Sequence, residues 1–291
     1  MRIAFVGDVH GCALHALGAL VGWQTHTESS LDAVIQVGDL GAFPSEAAWA
    51  PSDHHYARDN PAQRDLFRVL APDQDLRATL EAVLEVLGTP VLFVSGNHED
   101  HTWLAGLHHD AEPVVPIDPV GVFHHVADGS LLELAGLRIG FLGRIEAPGY
   151  MEFDPVAYDR LQNLPQGSVD VLVTHDGPYG LATNWRGTVS GSPMVTELLE
   201  RLQPRWHIGG HYHHINGPRL YGATVSYALA GLVNPRVNRF SGKSINPTAR
   251  VTPGALGVLD TEGTTFSYVT EDWLADVAGT SFDLAGYLGA L

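Results

Sequence analysis

The chain has 291 residues, 45% of them hydrophobic and 17% charged, a length at which about 75% of the unfolded surface is buried on folding and disorder of the whole is excluded. Acidic residues outnumber basic ones 33 to 16, giving a formal charge of −17. Such a surface repels long polyanions and anionic membranes unless one region carries the opposite sign. The one cysteine, Cys12, cannot form an intrachain disulfide, so nothing requires an oxidising compartment.

The first apolar run, residues 3–6, is cut off by Gly7-Asp8 and is too short for a signal-peptide core or a membrane span. A cytoplasmic protein is the expectation. Similar short runs at 33–37, 91–94, 137–142, 169–173, 206–208, 224–229 and 256–259 read as mostly buried strands. Leu76, Leu80, Val83, Leu84 and Leu87 carry the spacing of an amphipathic helix. Ser192 followed by Pro193, with Val195, Leu198, Leu199 and Leu202 behind, starts another. Strand alternates with helix in the first half and dominates the second, which predicts an α/β (α+β) sandwich of mixed sheets in one domain, 1–291. The stretch 43–75 is long for a loop and is either a lid or an inserted segment with a helix of its own. The Pro-, Asn- and Arg-rich stretch 234–252 reads as an ordered loop.

The polar residues fall where the strands end. The first three are followed by Gly7-Asp8-Val9-His10-Gly11, Gly38-Asp39-Leu40-Gly41 and Gly96-Asn97-His98-Glu99, and two later ones by Thr174-His175-Asp176 and Gly209-Gly210-His211-Tyr212-His213-His214. Ligands of open α/β sheets bind at that edge. A Gly-Asp after a strand is by itself a plain turn, and a lone histidine a hydrogen-bonded structural residue. Gathering two Asp, an Asn and four or five His without a cation would cost several kcal/mol in desolvation and repulsion. Carboxylate, carboxamide and imidazole without thiolate suit Mn, Fe, Zn or Ni rather than Ca or an iron–sulfur cluster. Seven ligands exceed the needs of one ion that also binds water, so two ions sharing a carboxylate is the natural reading.

These five blocks, in this order over positions 7 to 213, resemble the signature of the calcineurin-like metallophosphoesterases. The resemblance implies a four-layer αββα sandwich of two mixed sheets flanked by helices, and a binuclear centre of two divalent or transition-metal ions, Mn first among them. By similarity Asp8, His10 and His213 would hold one ion and Asn97, His175 and His211 the other, with Asp39 between them. His98 matches a histidine that is not a ligand but stands beside the substrate phosphate as electrostatic stabiliser or general acid. The implied activity is hydrolysis of a phosphate ester by water that the ion pair acidifies.

The Asp-Arg-Gly that phosphoprotein phosphatases carry after the second block is absent from Gly38-Asp39-Leu40-Gly41-Ala42-Phe43, which argues against that substrate. Asn97-His98-Glu99 with Thr174-His175-Asp176-Gly177-Pro178 is loosely similar to lariat debranching phosphodiesterases. The expected substrate is a small phosphate ester or nucleotide, a phosphodiester ahead of a monoester, with phosphomonoesterase or nucleotide pyrophosphohydrolase activity as the alternative and a non-catalytic scaffold as the remote one. No acid occurs from 201 to 259, yet Arg201, Arg205, Arg219, Arg236, Arg239, Lys243 and Arg250 do, a basic rim suited to phosphate or to pairing with surface acids. Arg144 is a further candidate. Cys12 reads as a small packing residue, and His54, His55, His101, His108, His109, His124, His125 and His214 as surface or packing histidines, with His101 the one placed to reach the site.

Overall fold

A computed structural model describes residues 1–49, 60–108, 112–147, 152–183, 187–234, 243 and 245–291. His54, His55, His109, Arg236 and Arg239 lie outside the described residues.

The first half contributes strands β1 (Arg2–Val6), β2 (Ala33–Gln36), β3 (Val91–Phe93), β4 (Val114–Pro116), β5 (Phe123–Val126), β6 (Leu131–Leu134) and β7 (Leu137–Leu142). The second half contributes β8 (Val171–Thr174), β9 (Ala182–Thr183), β10 (Val189–Ser190), β11 (Trp206–Gly209), β12 (Asn216–Tyr221), β13 (Thr224–Ala228), β14 (Leu256–Asp260) and β15 (Thr265–Val269). One mixed sheet has the order β15-β14-β1-β2-β3-β5-β4, the other β12-β13-β11-β8-β7-β6, and β9 with β10 makes a small ribbon. The inner strands β1, β2, β3 and β5 run parallel, as do β7, β8, β11 and β13, and antiparallel strands close each sheet.

Because both faces of the inner strands are covered, runs such as residues 3–6 of β1 and all of β3 are apolar at consecutive positions rather than at every second one. The period-two geometry still sorts their side chains. Ile3, Phe5, Ile35 and Leu92 enter a core shared with Ile139, Phe141, Val171, Val173 and Ile208 of the other sheet. Ala4, Val6, Val34 and Phe93 point the opposite way, into a core with the helices. These are α1 (Ala13–Thr27), α2 (Asp65–Leu70), α3 (Gln74–Leu87), α4 (His101–Leu107) and, after α5 (Pro155–Gln162) and α6 (Pro193–Leu202), α7 (Leu284–Ala290). Tyr158 and Leu161 of α5 and Val195, Leu198, Leu199 and Leu202 of α6 cover the outside of the second sheet with Leu172. The layers are therefore helix, sheet, sheet, helix, the arrangement the resemblance implies.

The two predicted helices occur with their predicted signals. The Ser192 hydroxyl accepts from the Val195 N–H at 2.9 Å, and Asp73 caps α3 by accepting from the Leu76 N–H. Helix α1 has no visible pattern in the sequence, because it is buried from Ala13 through Trp23 and, His15 aside, is apolar on every side of that stretch. Within 43–75 the described part contains α2, whose Leu66 and Val69 join the helix-side core. The described part of 234–252 has no regular element and is tied by Asn246, whose amide donates to the Asn234 and Arg250 carbonyls. Among the described residues no helix is long and apolar enough to cross a membrane.

Phe141 is fully buried between the sheets. Phe141→Ala is expected to cost about 3–5 kcal/mol, read as a lower urea midpoint at unchanged slope; an unchanged midpoint would contradict this packing.

Candidate metal centre

Every candidate residue follows the carboxyl end of a parallel strand: Asp8 and His10 after β1, Asp39 after β2, Asn97 and His98 after β3, His175 after β8, and His211 and His213 after β11. The face-to-face sheets turn these edges toward one another. His10, Asp39, His211 and His213 all have left-handed backbones, with φ of 46°, 56°, 68° and 58°. Each such residue costs about 1 kcal/mol or more and persists only where its surroundings over-determine it. Here the loops brace each other. The Val9 and His10 N–H groups donate to the Asp39 carbonyl at 2.9 and 2.8 Å, and the Gly11 N–H to that of Leu40 at 2.7 Å.

The side chains converge in two groups that share Asp39. Ligand-type atoms of Asp8, His10, Asp39 and His213 lie within 4.8 Å of one another, and so do those of Asp39, His175 and His211. Asp39 turns one oxygen to each group, with Oδ2 at 3.8 Å from His10 Nε2 and Oδ1 at 3.4 Å from His175 Nε2. His213 Nε2 stands 3.0 Å from both Asp8 Oδ2 and His10 Nε2. Asn97 Oδ1 is 3.2 Å from His175 Nε2. The His98 ring lies 5.3 Å from that of His10, and its backbone N–H donates to Asp39 Oδ1 at 2.7 Å. All eight candidates are thus at one place.

Buried charge sets the electrostatics. Burial alone would raise Asp8, but His213 beside it brings its carboxyl down to about 2. Asp39, also buried, is held well below the carboxylate range by His175. Burial would lower His175, yet Asp39 lifts it to about 10, and Asp8 lifts His213 in the same way. His10 and His211 stay below the ordinary histidine value, chiefly through burial. Two buried carboxylates facing four imidazoles, with two ring nitrogens in contact, make a donor set that fits cations in place of protons. The His175 Nδ1–H donates to the Val37 carbonyl at 3.0 Å, which fixes the tautomer and leaves Nε2 facing the site.

Two glycines explain why the turns are so tight. A Cβ at Gly38, whose φ is +100°, would stand 2.4 Å from the His175 ring, and one at Gly96 would fall 2.1 Å from Asp39 Oδ1. Three supporting residues have no assignment from the sequence. Glu99 accepts from the Gly41 and Gly96 N–H groups at 3.1 and 2.5 Å, and burial with the Asp39 charge pushes it up to about 8. Gln36 donates to the Gly7 and Gly38 carbonyls, lacing the ends of β1 and β2 together. Asp176 accepts from the Tyr212 hydroxyl at 2.9 Å, joining the fourth block to the fifth. A polar Gln closing an otherwise apolar strand is the one readable signal.

Other expectations resolve case by case. Cys12 is buried at the start of α1, and burial pushes its thiol up, as a packing residue requires. The Arg205 guanidinium lies 4.3 Å over the Trp206 ring, and Arg219 donates to the Gly180 carbonyl, so both have internal contacts. His214 Nδ1 bonds the Tyr212 carbonyl. Behind the site a hydrogen-bonded chain runs from Ser226 to His207 to Thr174 at 2.7 and 2.8 Å. Burial lowers His207 to about 3. An unfolded chain takes up that proton near pH 6.5, so stability is lost as pH falls from there, by on the order of 2 kcal/mol at pH 4.5. His207→Gln is expected to flatten the pH dependence of the urea midpoint; identical pH profiles would contradict a neutral buried imidazole.

The sequence pattern of the calcineurin-like phosphoesterases matches residues 1–214, and the chain belongs to that family of metal-dependent hydrolases acting on phosphate esters. It is 26% identical over 259 residues to a lariat debranching enzyme of Entamoeba histolytica, a match covering 75% of this chain and 66% of that enzyme's length. Among solved structures, TT1561 of Thermus thermophilus is similar in fold, with a TM-score of 0.50 at 14% identity over 92% of this chain and 98% of that one. Another crystal structure gives 0.53 with the same identity and coverage.

Proposed function

We propose that the protein hydrolyses small phosphodiesters, with Asp8, His10 and His213 holding one divalent ion, Asn97, His175 and His211 a second, and Asp39 shared between them. The observation that carries this reading is Asp39, the member common to both groups, which offers one oxygen to each. Bound there, two ions would acidify water and neutralise charge on the non-bridging phosphate oxygens. Manganese suits the oxygen and imidazole donors.

The chain's own residues do the rest. Asp8 is oriented by the His211 N–H, which donates to both carboxylate oxygens at 3.0 and 3.1 Å. Asp39 is oriented by the His98 N–H, so the backbone of the third block sets the carboxylate of the second. His98 stands at the edge of the His10 group with its ring half-buried, where it donates a proton to the departing ester oxygen. Preference for a diester is supported by the likeness to a lariat debranching enzyme and by the missing Asp-Arg-Gly of phosphoprotein phosphatases. The test is the rate of manganese-loaded protein on bis(p-nitrophenyl) phosphate relative to p-nitrophenyl phosphate. A ratio well above one supports the diester reading and justifies trying branched RNA; a ratio well below one replaces it with a monoesterase.

A further inference from the structure

Beside the metal groups the protein holds guanidinium and ring nitrogens without hydrogen-bond partners among the described residues. Arg144 follows β7, where its left-handed backbone (φ 65°) is pinned by a 2.7 Å hydrogen bond from its N–H to the Ser95 carbonyl, two residues before Asn97. Its side chain is 27% exposed, yet its neutralisation is loose. The nearest carboxylate oxygen, Asp128 Oδ2, is 3.7 Å away, and Nη1 reaches the Glu152 carbonyl only at 3.4 Å. Arg144 Nε is buried and, among the described residues, without a hydrogen-bond partner. The same is true of His101 Nε2 and His125 Nε2. His125 is fixed through Nδ1 to His108 Nε2 at 2.8 Å, so its ring cannot turn elsewhere without losing that bond. His101 feels the charges of Arg144, Asp39 and His175 alike, which links this cluster to the metal groups. A poorly paired, largely buried guanidinium is costly unless a ligand supplies acceptors.

We propose that Arg144, backed by His101, is a subsite for a second phosphoryl group of the substrate, one linkage away from the group that is cleaved. The guanidinium fork matches phosphate oxygens, and a strained backbone persists where function holds it. The inference rests on the phosphoesterase reading and narrows its substrate class to esters carrying two phosphates, such as a nucleotide phosphorylated at both the 3′ and 5′ positions.

The test uses thymidine 5′-(p-nitrophenyl phosphate) with and without a 3′-phosphate, on manganese-loaded wild-type, Arg144→Met and Arg144→Lys proteins. Wild type is expected to prefer the doubly phosphorylated ester by about tenfold or more in KM, Arg144→Met to bring the ratio toward one, and Arg144→Lys to keep part of it. No preference in wild type, or an equal loss on both esters, would overturn the subsite. Equilibrium binding of thymidine 3′,5′-bisphosphate separates the two readings. If neither ester is turned over, the phosphoesterase proposal fails, while the subsite stands on weaker binding by Arg144→Met and falls if the two proteins bind alike.

Discussion

Asp39→Asn is expected to abolish hydrolysis, by at least about 10³-fold, and to leave fewer than two tightly bound metal ions per chain. The substitution keeps the shape of the side chain and an oxygen able to accept the His98 N–H, so the local fold should survive. What it removes is one negative charge and one of two anionic donors, each of which faces a different histidine group. With that charge gone, His175 loses the neighbour that most strongly favours its cationic form, and the two groups no longer have a common anionic ligand. Turnover on bis(p-nitrophenyl) phosphate together with metal analysis of the purified variant measures both effects. A variant that keeps full activity and both ions would remove Asp39 from the shared position.

His98→Ala separates chemistry from metal holding. Asp39 is oriented by the His98 backbone N–H rather than by its ring, so the variant should retain its metal. Turnover should fall by about 10²–10⁴-fold if the ring protonates the leaving oxygen. The deficit depends on the leaving group. A nitrophenolate departs readily as an anion and needs little protonation, whereas an alkoxide needs it fully, so the loss should be smaller on p-nitrophenyl esters than on alkyl esters. An unchanged rate on both ester types would take His98 out of the reaction.

Much of this site is legible in the sequence because its residues are local to strand ends. Each block places a donor within two or three residues of a buried apolar run, and parallel strands in a layered fold bring those ends to one edge. Helix α1 is not legible, since a helix apolar on all sides has no period, and α2 is obscured by the charges of the stretch around it. The supporting residues are harder still. Glu99 acts on the glycine N–H groups of two different blocks, and Asp176 on a tyrosine thirty-six residues away. Arg144 is legible as a candidate for phosphate but not in its placement, which lies in a backbone bond to Ser95 and in a guanidinium left loosely paired, neither of which has a sequence signature. The left-handed backbones of His10, Asp39 and His211 are foreshadowed only by the glycines beside them, and that of His213, between Tyr212 and His214, has no such sign.

The most direct test of a shared two-ion centre is a titration of chelator-stripped protein with manganese while hydrolysis of bis(p-nitrophenyl) phosphate is followed. No turnover is expected without metal, with a rate that saturates at two equivalents per chain. Turnover that survives stripping, or saturates at a single equivalent, would contradict it.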